Sequence, residues 1–79
     1  MTYDDVVDLL KNSKRVVEEG NNALDKQLQW FDSSGKLVAS GYDYKSNRQP
    51  KCSNIYMVDA NVDFTEDETS FLVSLGKRV

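Results

Sequence analysis

Residues 28–44 read Leu28-Gln29-Trp30-Phe31-Asp32-Ser33-Ser34-Gly35-Lys36-Leu37-Val38-Ala39-Ser40-Gly41-Tyr42-Asp43-Tyr44. Two runs rich in aromatic and β-branched residues flank Asp-Ser-Ser-Gly, the composition of a reversal between antiparallel strands. Asp32 carries a short acceptor that closes a type I turn on its own backbone. Gly35 has the freedom for the positive φ of the bulge that follows such a turn. The spacing predicts a hairpin over about 26–44, with strands at about 26–32 and 36–44. On the second strand Leu37, Ala39, Gly41 and Asp43 separate from Val38, Ser40, Tyr42 and Tyr44. The small Ala39 and Gly41 are expected beneath a closely packed helix, with the tyrosines on the other side.

Before the hairpin, Thr2 and Asp5 form a variant of the capping box, and Asp4 and Asp5 lie where the helix dipole favours negative charge. Tyr3, Val6, Val7, Leu10 and Val17 keep the spacing of one buried helical face, with Leu9 and Val16 beside it. Gly20-Asn21-Asn22 supplies the exit. These features predict a helix over about 3–19. Residues 23–26 fit helix or strand, and the strand is preferred because the turn needs a partner.

After the hairpin, residues 45–53 read as a polar loop with Lys45, Arg48, Lys51 and the only proline, Pro50. A strand at about 54–58 follows. Thr65 and Glu68 form a second capping box, Phe71, Leu72 and Leu75 an apolar stripe, and Gly76 an exit. These residues predict a short helix over about 66–75; the alternative is a fourth strand through Phe71–Leu75. The expected fold is α+β, a single domain over residues 1–79 in the order α-β-β-β-α. A three-stranded antiparallel sheet would be packed by the two helices.

Composition narrows the chemistry. The chain has 79 residues, 39% apolar and 29% charged, a balance that suits a small globule. A single cysteine, Cys52, excludes an internal disulfide, and a reducing cytoplasm is the expected location. No apolar run reaches the roughly 20 residues of a membrane span. Without histidine, Ser-His and Cys-His catalysis is closed, and one cysteine leaves no zinc ligand set. The scattered glycines match no phosphate-loop or dinucleotide fingerprint. Asp59, Asn61 and Asp63 open like a calcium loop, but Phe64 stands where its glycine belongs. No enzyme activity, metal or cofactor is therefore expected.

Recognition of another macromolecule remains. Rings on both faces of the strands exceed what one sheet face needs, and Trp and Tyr are frequent binding anchors. The expected partner-binding residues are Trp30, Tyr42, Tyr44 and Tyr56, with Asp4, Asp5, Glu66 and Asp67 engaging a basic, nucleic-acid-binding surface on a partner protein. Small acidic accessory and inhibitor proteins of phages and mobile elements, including antagonists of host defence complexes, have this style. One alternative is single-stranded nucleic-acid binding by Tyr42, Tyr44, Lys45, Arg48 and Lys51, which combine ring faces with cations. Another is self-association through an exposed strand edge, either 54–58 or 26–31. No membrane or small-molecule partner is expected.

Overall fold

Asn12 and Ser13 stop the first helix after nine residues. The Asn12 amide Nδ2 donates to Asp8 O at 2.8 Å, and the Ser13 hydroxyl to Leu9 O at 2.6 Å. These side chains take carbonyls that a continuing helix would use. The computed structural model describes residues 1–19, 25–44 and 53–78. It places helix α1 at Tyr3–Lys11 and strand β1 at Lys14–Glu19. The helix expected over 3–19 is thus corrected to a helix and a strand. Val16 and Val17, whose branched side chains favour the pleated conformation, belong to β1. Gly20, the expected helix exit, lies outside the described residues.

Strands β2 (Asp25–Phe31) and β3 (Leu37–Tyr44) form the expected hairpin. The Asp32 carboxylate accepts from the Ser34 N–H, the Ser34 hydroxyl and the Lys36 N–H at 2.9, 2.6 and 3.0 Å. Gly35 has φ 87° and its N–H reaches Asp32 O. Strand β4 is Asn54–Met57, helix α2 Glu66–Leu72 and strand β5 Lys77–Arg78. Both capping boxes form, on Thr2 with Asp5 and on Thr65 with Glu68.

The sheet has five strands in the order β4-β3-β2-β1-β5. All neighbours are antiparallel except β1 and β5, so the three-stranded antiparallel sheet is corrected to a five-stranded mixed one. The element order becomes α-β-β-β-β-α-β. Phe71 and Leu72 are helical and residues 73–74 form a turn, so the alternative fourth strand through Phe71–Leu75 gives way to β5 just beyond it. Strand 26–31 is interior, flanked by β1 and β3, and is not an edge; β4 and β5 are the edges.

One sheet face carries the core. Leu28, Trp30, Ala39 and Ile55 pack with Val6 and Leu10 of α1, Leu72 of α2 and Val73 just beyond it. Each fully buried aliphatic side chain contributes about 1.5–3 kcal/mol. Ala39 lies under this layer as its size predicted. Gly41 has a different reason: a Cβ there would run into the Asn54 backbone carbonyl. The close approach is by the neighbouring strand, and no helix requires this glycine.

Two polar side chains fasten the return from α2 to β5. Trp30 Nε1 donates to Leu75 O and Arg15 Nε to Val73 O, both at 2.8 Å. Both carbonyls lie beyond the last residue of α2, in the turn that returns the chain to β5. Gly76 follows at φ 125°, pressed against the Arg15 Cβ and the Trp30 ring. The Lys77 N–H then reaches Ser13 O at 2.8 Å, and β5 joins β1.

Candidate functional site

Both helices lie on the Trp30 side, and no described element covers the opposite sheet face. Strand register sets that face out in rows. One row runs Lys77, Lys14, Phe31 and Leu37; the next Val16, Gln29, Ser40 and Tyr56; a third Glu18, Gln27, Tyr42 and Asn54. Tyr42 is 41% and Tyr56 60% exposed. These two rings stand on the open face.

Trp30 does not join them. It is fully buried, its ring in the core and its N–H on Leu75 O. Its assignment to a partner surface is corrected: a ring pointing to the helical layer of β2 cannot touch a partner. Tyr44 closes β3, its backbone paired with Asp25. Lys45, Arg48 and Lys51 of the aromatic and basic loop lie outside the described residues.

The acidic candidates are gathered at one end. The Tyr3 and Phe64 rings meet edge-to-face at 6.4 Å, which brings the start of α1 beside the start of α2. Asp4, Glu66 and Asp67 are exposed there. Asp5 instead serves the helix cap. The Thr2 N–H donates to its carboxylate at 3.0 Å and holds its pKa below the ordinary value, with help from the Thr2 hydroxyl. Glu68 is likewise engaged by the Thr65 N–H at 2.8 Å. A groove of about 290 Å³ runs along the free side of β4, lined by Tyr56, Met57, Asp63, Phe64 and Thr69 among others. Its lining passes from Tyr56 on β4 to Phe64, just before α2, and Thr69 within it.

The opposite edge is basic, which the sequence reading missed. Parallel pairing sets Lys77 beside Lys14 and Arg78 beside Arg15. With 3–19 read as one helix, Lys14 and Arg15 fall in its later turns; the only local signal for a strand is the β-branched pair Val16-Val17, since Lys-Arg-Val-Val-Glu-Glu does not alternate. A hollow of about 730 Å³ opens beside Lys14, Lys77 and Phe31. Among the described residues the one ion pair is elsewhere, Lys36 Nζ to Asp59 at 2.7 Å, and it raises the Lys36 pKa.

Among the described residues no three His, Cys, Asp or Glu side chains come together as metal ligands. Among the described residues no helix is long and apolar enough to cross a membrane. No protein family matches the chain, and neither curated proteins nor solved structures give a significant match. Function therefore rests on the geometry alone.

Proposed function

We propose that this protein is a non-catalytic recognition module that binds another protein through the β4 edge and the acidic helix starts beside it. The observation that carries the reading is the Tyr3–Phe64 packing: it sets the start of α1, with Asp4, against the residue that precedes α2, with Glu66 and Asp67, and Phe64 itself lines the groove bordered by Tyr56. Tyr42 and Tyr56 supply ring area at one end of an open sheet face, and the carboxylates supply charge complementary to a basic partner. A partner surface built for nucleic acid has that charge, so the mode of action is steric occupation of a phosphate-binding site. That is the activity of a small inhibitor or accessory factor of the phage and mobile-element style, working in a reducing cytoplasm.

The test is capture of the tagged protein's partner from its native host, run in parallel with two variants. Tyr42→Ala with Tyr56→Ala removes the rings; Asp4→Asn, Glu66→Gln and Asp67→Asn together remove the charge and leave both capping boxes intact. The expected result is one basic protein that both variants lose and that rising salt weakens. Retention of that partner by both variants would overturn the reading. So would light scattering that shows β4 engaged in a stable dimer, because self-pairing would occupy the same edge.

A further inference from the structure

We propose a second site, on the opposite edge, that binds a nucleotide phosphate and its base: the hollow bordered by Lys14, Lys77 and Phe31. It goes beyond the protein-binding reading and uses none of the same residues. The first observation is electrostatic. Lys14 and Lys77 are register partners on one face of adjacent strands, and Arg15 and Arg78 are partners at the next position. Like charges directly opposite each other in a sheet are destabilising. Neither lysine has an ion-pair partner among the described residues, so the repulsion stands uncompensated. An anion between the two ammonium groups would relieve it.

The second observation is shape. Lys14 is also the register partner of Phe31 across β1 and β2, so the cations and the ring form one row on the open face. That row borders a hollow of about 730 Å³, also lined by Val16, by Asn12 at the α1–β1 junction and by the hairpin turn. Asp32, the acidic residue there, is occupied by the Ser34 and Lys36 N–H groups and the Ser34 hydroxyl. A flat ring stacked on Phe31 places an attached phosphate toward Lys14 and Lys77. Cations beside an aromatic platform are the components that hold nucleotides, free or within a single strand. Two lysines and one carboxylate, Asp32, line the hollow, so it is locally positive although the chain carries a net charge of −3.

The experiment titrates the full chain with fluorescein-labelled decathymidylate, and competes it with thymidine monophosphate, inorganic phosphate and polyglutamate. The expected result is salt-dependent binding to the oligonucleotide. Lys14→Gln with Lys77→Gln should lower the salt slope by about 1.4, the share of two phosphate contacts on a single strand. Phe31→Leu should weaken binding by about 5- to 150-fold, the range for one base stacked on a ring. Lys36→Gln, whose cation is already paired with Asp59, should leave affinity unchanged. Competition by the mononucleotide identifies a free nucleotide as sufficient; competition by oligonucleotide alone assigns the site to a strand. The proposal is overturned by absence of binding, by an equal loss in Lys36→Gln, by no loss in Phe31→Leu, or by polyglutamate competing better than the nucleotides. Far-UV circular dichroism confirms that each variant is folded. Retention of the captured protein partner by Lys14→Gln/Lys77→Gln separates this site from the one at β4.

Discussion

Gly35→Ala and Gly76→Ala add the same methyl group at two positive φ angles, 87° and 125°, in opposite surroundings. Around Gly35 nothing lies within 4 Å of the added Cβ. At Gly76 the new atom meets the Arg15 Cβ at 2.6 Å and the Trp30 ring at 3.2 and 3.3 Å. Neither neighbour is a flexible tip. Arg15 Cβ is fixed to the β1 backbone, and the buried indole is held by Leu75 O. A left-handed L-residue costs about 1–2 kcal/mol, and Gly35→Ala should lose that alone. Gly76→Ala adds overpacking of about 1–3 kcal/mol, for a total of about 2–5 kcal/mol. A domain of this size has roughly 4–12 kcal/mol to lose, so the second variant should approach the limit of folding. At about 4–8 °C per kcal/mol, Gly35→Ala should melt about 4–16 °C lower, and Gly76→Ala further still. Urea and thermal transitions followed by the fluorescence of the single tryptophan and by circular dichroism give both numbers. Equal losses in the two variants would refute the placement of residues 73–76 over Trp30.

Trp30→Ala removes the largest buried side chain and leaves Leu75 O without its donor; the expected cost is about 3–5 kcal/mol, read as loss of the cooperative transition in circular dichroism. Thr65→Ala should cost about 1 kcal/mol, and combining it with Glu68→Ala should cost less than the sum in urea melts, because one capping box contains both. Hydrogen bonds from the Ser34 hydroxyl and the Lys36 N–H hold the Asp32 pKa below its ordinary value of 3.8. Its contribution is therefore present above that value and lost as pH falls through the lower folded pKa. Asp32→Asn should be less stable than the parent at pH 7, and the two stability curves should converge toward pH 2; parallel curves would show that the carboxylate does not hold the turn.

The hairpin was readable because its signals are local. Asp32, Ser34 and Gly35 specify a turn within five residues, and both capping boxes act within four. Strand β5 was not readable, because Lys77 and Arg78 pair with residues more than sixty positions away and carry no apolar pattern. The break at Asn12-Ser13 was hidden by a coincidence of period. Leu10 and Val17 are seven apart, which is two helical turns, yet Val17 sits on a strand opposite Leu28. The polar pair between them outranked the spacing. Trp30 misled for another reason. Both faces of β2 carry rings, and only the position of the helices decides which is covered. The acidic residues were legible as helix starts, but their assembly into one end depended on the Tyr3–Phe64 contact between elements distant in sequence.

The basic edge offers a test in which stability and binding move in opposite directions. If Lys14 and Lys77 repel each other across the β1–β5 ladder, reversing one charge converts a repulsive cross-strand pair into an attractive one. Such pairs are worth roughly 0.2–1 kcal/mol each way, so Lys77→Glu should raise the urea midpoint. The backbone contact that starts β5, the Lys77 N–H on Ser13 O, does not involve the side chain and is retained. The same variant places a carboxylate beside the hollow and should abolish oligonucleotide binding. A gain in stability coupled to loss of binding is what a site kept strained for an anionic ligand must show. A stabilising effect of added salt on the parent, absent in Lys77→Glu, is the corresponding signature of screened repulsion. Destabilisation by Lys77→Glu would mean that the lysines do not strain the strand, and the electrostatic basis of the second site would fall with it.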